Sequence, residues 1–408
     1  MKALPAVLFA GLGLLAPHFC AAVPPTPRES ALAAGNLDFA CGLYGELAGG
    51  PGNLFLSPCS ISTALAMTWG GAKGDTAAQM RKTLRFGLPD DDLHQAFAEL
   101  QQRLNAAESR GKMRLRVANS IWPQKDYPFR KEYVTLLKDR YGVSVTPVDY
   151  VGAAESARGL INGWVSDRTE KKIQNLIPSG VLNNMTRLVL ANAIYFKGTW
   201  ATPFDKAATQ DADFRLEGGR TAKAPFMYQE SEHGYAESAS LQALDLGYRG
   251  GDLSMVVLLP RRSDGLATLE KDLSPAKLTD WLRETTPRKV RVFLPRFKMT
   301  YRFSVKESLL KLGMTDAFDP GKADFSGMGG KPHDLFISAV LHKAFVDVNE
   351  EGTEAAAATA VIISRAMAFA TPPPEFRADH PFLFLIREKA TGSILFLGRV
   401  ADPTAAGE

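Results

Sequence analysis

The sequence predicts an α+β fold, because helical patterning crowds the first third of the chain and strand patterning dominates the second half. Two further observations support that class. The composition is 45% hydrophobic and 23% charged, near the globular average, and 408 residues supply material for a large core. No internal repeat and no linker rich in Pro, Gly or Ser divides the chain. A disordered chain, a coiled coil and a collagen-like repeat are all excluded.

The N-terminus reads as a secretory signal peptide over residues 1–22. Lys2 gives a positive start, Ala6 to Ala16 carries no charge, and Cys20-Ala21-Ala22 offers small residues for cleavage before Val23. The apolar run is too short to span a bilayer, so no membrane segment is expected after its removal. Residues 23–408 then form one domain. Of three Cys, Cys41 and Cys59 would remain, either paired in an oxidising compartment or free and buried.

Ser30 to Leu47 has helical spacing, with Leu32, Leu37, Ala40, Leu43 and Tyr44 on one side. Ser57-Pro58 opens a second helix, Ser as cap and Pro at its first position, and Gly70-Gly71 ends it. A third runs through Met80 to Leu84 with Asp75 as the expected cap, and Leu93 to Leu104 makes a fourth. Arg114 to Ala118 alternates as a half-buried strand does, whereas Leu160 to Leu176 returns to helical spacing. Leu188 to Phe196 is nearly continuous in apolar residues, the mark of a central strand covered on both faces. Further strands are expected at Ser254 to Leu259, Lys289 to Leu294, Leu335 to Val340, Phe382 to Ile386 and Ile394 to Val400.

Chemistry of the usual kinds is missing. The six His include no pair at i, i+4, and no zincin, C-x-x-C, nucleophile-elbow or phosphate-loop motif occurs. Asp324-Phe325-Ser326-Gly327 lacks the leading Gly of an elbow, so Ser326 reads as a turn residue. The chain is not expected to be an enzyme, nor to carry a metal or cofactor. With 48 Lys plus Arg against 44 Asp plus Glu, the net charge is only +4. No run of five or six basic residues and no basic helix face is present, so neither nucleic acid nor a heparin-like polyanion is an expected partner. Asn184-Met185-Thr186 is a glycosylation sequon.

The most unusual stretch is Glu350-Glu351-Gly352-Thr353-Glu354-Ala355-Ala356-Ala357-Ala358-Thr359-Ala360. Its Ala run suits a helix, Val361-Ile362-Ile363 suits a strand, and Thr371-Pro372-Pro373-Pro374 suits neither. Such a segment fits a mobile loop.

This stretch resembles the hinge of a serpin reactive loop, and other motifs of that family stand in the family's order. They include Asn53 to Ile61, Gly71 to Thr76, Ile161 to Val165, Leu190 to Trp200, Leu294 to Phe297, Ala323 to Met328, His342 to Ala344 and Ala378 to Phe382. The similarity spans roughly residues 28–403. It implies a large mixed β-sheet, about eight to nine clustered helices, smaller sheets and an exposed C-terminal reactive loop at about 350–376. It also implies a monomer, open to polymerisation, that traps serine and sometimes cysteine proteases. The protease cuts the loop, and the freed hinge enters the main sheet as a new strand.

The residues suit that motion. With a strand period of two, Thr353, Ala355, Ala357, Thr359, Val361 and Ile363 share one uncharged face, while Glu354 falls on the other. Full burial of Val361 and Ile363 would contribute about 1.5–3 kcal/mol each. The resemblance places the scissile residue fourteen positions after Gly352, at Ala366, with Met367 beyond the bond. Ala366 suits an elastase-like protease, Arg365 a trypsin-like one, and Met367 or Phe369 a chymotrypsin-like one; Ala366 and Arg365 both stay open. By the same resemblance Ser57, Ser60, Asn192 and His342 form a polar shutter beneath the sheet. Trp200 marks the breach where insertion begins, and Arg296 pairs with Glu350 to tie the hinge.

Overall fold

The computed structural model describes residues 23–111, 113–353 and 372–405. The expected leader, Glu354 to Thr359 of the hinge, and Arg365, Ala366 and Met367 therefore lie outside the described residues.

The first helix, α1 (Pro27–Leu47), starts three residues before its apolar stripe, because Thr26 and Glu29 close a reciprocal capping box around Pro27. After β1 (Leu54–Leu56), Ser57 caps α2 (Pro58–Trp69) by accepting from the Ser60 N–H, and Gly70 ends it. In α3 (Gly74–Thr83) the cap is Lys73, so Asp75 is not the cap; it lies in the first turn, where its charge meets the helix dipole. Next come α4 (Asp90–Gly111), β2 (Arg114–Pro123) and α5 (Lys131–Leu136).

The helix expected over 160–176 is displaced to α6 (Tyr150–Arg168). Asp149 caps it, and Glu170 and Lys171 take positive φ values of 51° and 62°, which no helix continues through. Then follow β3 (Leu188–Thr199), β4 (Gln210–Arg215), β5 (Thr221–Glu237), β6 (Leu241–Gly247) and β7 (Leu253–Pro260). Helices α7 (Leu266–Asp272) and α8 (Pro275–Glu284) precede β8 (Thr286–Pro295), β9 (Phe297–Ser304) and α9 (Lys306–Lys311).

Strand β10 (Ala339–Asn349) begins four residues later than expected, because the Ile337 and Ser338 N–H groups are spent on Ala317 O and Leu188 O. The chain closes with β11 (Gly352–Thr353), β12 (Glu375–Arg377), β13 (Phe382–Glu388) and β14 (Ile394–Val400). Ser326 is a turn residue, its N–H donating to Asp324 Oδ1 at 2.9 Å.

One sheet has the order β1-β14-β13-β7-β6-β5-β8-β12, with β4 on β5; the other runs β2-β3-β11-β10-β9. The main apolar cluster fills the space beneath both sheets and joins them to α1 and α2. A second cluster seats Tyr150, Ala157, Ile161 and Val165 of α6 on the outer face of the five-stranded sheet, against Trp122, Tyr195, Leu341 and Phe345. That sheet is covered on both faces over its lower part, which accounts for the unbroken apolar run of β3. Cys41 and Cys59 are free thiols, each pushed up to about 12 by burial. Among the described residues no helix is long and apolar enough to cross a membrane.

Candidate functional site

The five-stranded sheet is split at one end and closed below. Strands β3 and β10 pair in parallel from Val189 with Ala339 to Tyr195 with Phe345. Above that point they part, and β11 sits between them, antiparallel to both. Gly352 lies opposite Thr199 and Asn349, and Thr353 opposite Gly198 and Val348. Only glycine fits at 352: φ is 148°, and a Cβ would lie 2.0 Å from Gly198 O. The Thr353 side chain is buried on the core side, its hydroxyl 2.8 Å from that of Tyr248.

The chain reaches this gap through a knot of hydrogen bonds around Trp200. Its indole stacks on Tyr248 with centroids 4.7 Å apart and donates to Asn349 O at 2.9 Å. The Trp200 N–H donates to Glu351 O, and the Phe204 N–H to Glu350 O. The expected Glu350–Arg296 pair is present. Arg296 donates through Nε at 2.6 Å and also pairs through Nη2, while Thr209 donates its hydroxyl at 2.5 Å. The Glu350 side chain is only 2% exposed whereas Arg296 is 42% exposed, so this is a half-buried latch and not a surface pair. Burial pushes the Glu350 carboxyl up, but the hydrogen bonds from Arg296 and Thr209 outweigh it and hold it below the usual range. Glu351 pairs separately with Lys206.

Lower down, the four residues expected in the polar cluster do come together, with a fifth. Asn119 of β2, Asn192 of β3 and His342 of β10 lie directly across neighbouring strands, in one row pointing inward. Ser57 and Ser60 at the N-terminus of α2 meet that row. The Ser57 N–H donates to His342 Nε2 at 3.1 Å, which leaves the proton on Nδ1 to be donated to Asn192 Oδ1. Asn192 Nδ2 donates to Ser60 Oγ at 2.6 Å, and Ser60 Oγ donates to Asn119 Oδ1 at 3.0 Å. Ser57 Oγ donates to Leu395 O at 2.6 Å. Burial pushes the His342 imidazole down to about 3, so the ring is neutral. A network this complete can close the sheet only while every member keeps its partner.

Sequence reasoning missed Asn119, Thr209, Lys206 and Tyr248. Asn119-Ser120 left a trace, a polar pair inside an apolar strand. The other three sit in loops or at a strand end, where no periodicity marks them.

The comparisons agree with this geometry. The family model for Serpin (serine protease inhibitor) matches residues 34–403. Leukocyte elastase inhibitor A of Rattus norvegicus is 46% identical over 362 residues, covering 86% of this chain and 93% of that protein. The leukocyte elastase inhibitor of Homo sapiens is 44% identical over 383 residues, covering 91% and 99%. Among solved structures, Serpin48 of the insect Tenebrio molitor superposes with a TM-score of 0.82 at 33% identity, covering 93% and 99%. Uncleaved ovalbumin gives 0.81 at 32%, covering 91% and 100%. By this match over nearly its whole length, the chain belongs to the serpin family.

Proposed function

We propose that this serpin is an inhibitor that traps an elastase-like serine protease as a covalent acyl-enzyme. The observation that carries the reading is the seating of Gly352 and Thr353 in the gap between β3 and β10, with Thr353 facing the core. The protease serine Oγ attacks the Ala366 carbonyl carbon, and the bond to the Met367 nitrogen breaks. That nitrogen leaves as an amine carrying the serine proton, and the acyl ester remains on the protease. Arg365 as the acylating residue, cut by a trypsin-like protease, is the second reading of the same loop. The names of the relatives favour the elastase-like one.

The freed strand from 354 onward continues the register that β11 has started. Ala355 comes opposite Phe196 and Val346, Ala357 opposite Ile194 and Ala344, and Thr359 between Asn192 and His342. Small side chains thus meet the bulky core rows first, and a hydroxyl arrives where the polar cluster must be parted. Glu354 lands on the outer face beside Lys197 and Asp347. Each step replaces parallel β3–β10 pairing with two antiparallel ladders, which is the net gain in main-chain hydrogen bonding.

Thyroxine-binding globulin also shares the fold, with a TM-score of 0.83, so the fold alone does not separate an inhibitor from a carrier. The uncharged inward face of the hinge favours the inhibitor. Incubation with elastase is expected to give an SDS-stable band near the summed masses, with mass spectrometry placing the cut after Ala366. Thr353→Arg puts a charge into the buried seat beside Tyr248, so this variant is expected to be cut at the same bond yet form no stable complex. A wild-type chain that is merely clipped would overturn the reading.

Secretion rests on residues 1–22 alone, and the comparisons do not support it. If those residues are a cleaved leader, protein recovered from the medium begins at Val23; an intact Met1 or its absence from the medium ends that reading.

A further inference from the structure

Helix α6 crosses the line along which the five-stranded sheet would open. Its buried residues sit against Trp122 of β2 and Tyr195 of β3, and also against Leu341 and Phe345 of β10. Tyr195 and Phe345 are partners across that line, with ring centres 6.0 Å apart. A strand entering between β3 and β10 would push them apart by one strand spacing, about 4.8 Å, and split the seat of the helix. The segment behind α6 straddles the same line. Asn162 clips it to the helix, accepting from the Ile177 N–H at 2.8 Å and donating to Ile177 O at 2.9 Å. Lys343 of β10 and Arg302 of β9 tie it to the other side, donating to Gln174 O and Asn175 O.

The helix that must yield is built weakly. Three glycines fall within its 19 residues. Gly152 has a local reason, since a Cβ there would lie 2.8 Å from the capping carboxylate of Asp149. Gly159 and Gly163 have none. Both are exposed and neither has a positive φ; beyond the adjoining helix backbone, no atom of the described residues lies within 4 Å of where a Cβ would stand. Alanine at either position would fit and would stabilise the helix. Near its start α6 is also interrupted at Ala153, with φ −151° and ψ 48°. On its own it is a poor helix, held in shape by the apolar seat beneath it.

We propose that Gly159 and Gly163 serve protease trapping by keeping α6 weak, so that the helix opens turn by turn when the sheet parts beneath it. This role rests on the inhibitor reading above. A stiff helix would have to lift as one body, exposing Tyr150, Ala157, Ile161 and Val165 together. A weak one releases them in sequence, which lowers the barrier to insertion. Speed matters because insertion races hydrolysis of the acyl ester. In that side branch water attacks the ester carbonyl carbon, the protease serine oxygen takes back a proton, and the chain leaves clipped, ending in the Ala366 carboxylate. Slower insertion sends more molecules down that branch.

Gly159→Ala combined with Gly163→Ala is expected to slow amide hydrogen exchange in α6 about twentyfold, the joint effect of two such steps, while exchange in α2 stays as it is. With half of that effect felt at the insertion barrier, insertion slows about fourfold. Incubated with elastase, the double variant should then yield more clipped chain and less SDS-stable complex than wild type. Gly45→Ala is the control: Gly45 is exposed in α1 with the same open space around its Cβ, and α1 packs on α2, α4 and β14. It should raise the unfolding midpoint and leave the ratio of complex to clipped chain at the wild-type value. Unchanged exchange in α6, an unchanged ratio in the double variant, or an equal shift in Gly45→Ala would each overturn the proposal. A wild type that is only clipped ends the inhibitor reading itself and this role with it, an outcome distinct from the other three.

Discussion

Glu350→Lys should destabilise the native monomer by about 3 kcal/mol and send it into polymer or a spontaneously inserted form on mild heating. The figure is the low end for breaking a buried ion pair, because Arg296 keeps access to water while Glu350 does not. The variant faces Arg296 with a like charge and takes the acceptor from Thr209. The hinge then loses the group that ties its base to the segment after Trp200 and to the end of β8. Size-exclusion chromatography after graded heating reads the loss of monomer. Arg296→Lys, which keeps the charge but loses the two-point contact, should fall between the variant and wild type. Unchanged monomer yield and unfolding midpoint in Glu350→Lys would remove the latch from the account. The same latch should loosen in acid: a carboxyl held below its usual 4.5 stabilises the fold above that value and loses its effect as pH falls through the lower folded value.

The second large effect is acid sensitivity carried by His342. Its ring binds a proton at about 3 when folded and near 6.5 when unfolded. Between those values the unfolded chain holds the extra proton, so stability falls as pH falls, by about 1.4 kcal/mol per unit. Protonating Nε2 in the fold would turn it against the Ser57 N–H, donor against donor, at the row that closes β3 on β10. His94 and His233 are both pushed down to about 4 by burial and add slopes of the same sign. His342→Gln, whose amide can accept from Ser57 and donate to Asn192 without titrating, should remove about a third of the slope that the three histidines supply between pH 6.5 and 4. Urea unfolding at stepped pH values measures it. A wild-type slope in that variant would show that the row is not where the proton acts.

Much of the fold was legible because its signals are local. Helix starts announced themselves where a capping side chain and Pro coincide, as at Ser57-Pro58, since that chemistry is complete within a few residues. Strand β3 was plain because a strand buried on both faces needs no partner to be recognised. Other elements were missed: β5 buries Gln229 and His233, which breaks its apolar alternation, β9 does alternate, with Phe297, Met299, Tyr301 and Phe303 on one side, yet went unread, and α6 slid by several residues because its stop is two positive-φ residues that no composition encodes.

The candidate site divides in the same way. The hinge at Glu350 to Thr353, the Glu350–Arg296 pair and the cluster of Ser57, Ser60, Asn192 and His342 came from motif order, and the structure brings their described members together. The sequence alone determined the α+β class, the small uncharged alternate positions Thr353, Ala355, Ala357 and Thr359 of the hinge segment, and the lack of a local catalytic or metal-binding motif. These are properties of composition and period. Tertiary structure alone decided that the sheet is open above Tyr195 and Phe345, that Glu350 is buried while Arg296 is not, and that Asn119 completes the polar row. Each depends on which strands become neighbours, and strand pairing is a long-range choice made by the core.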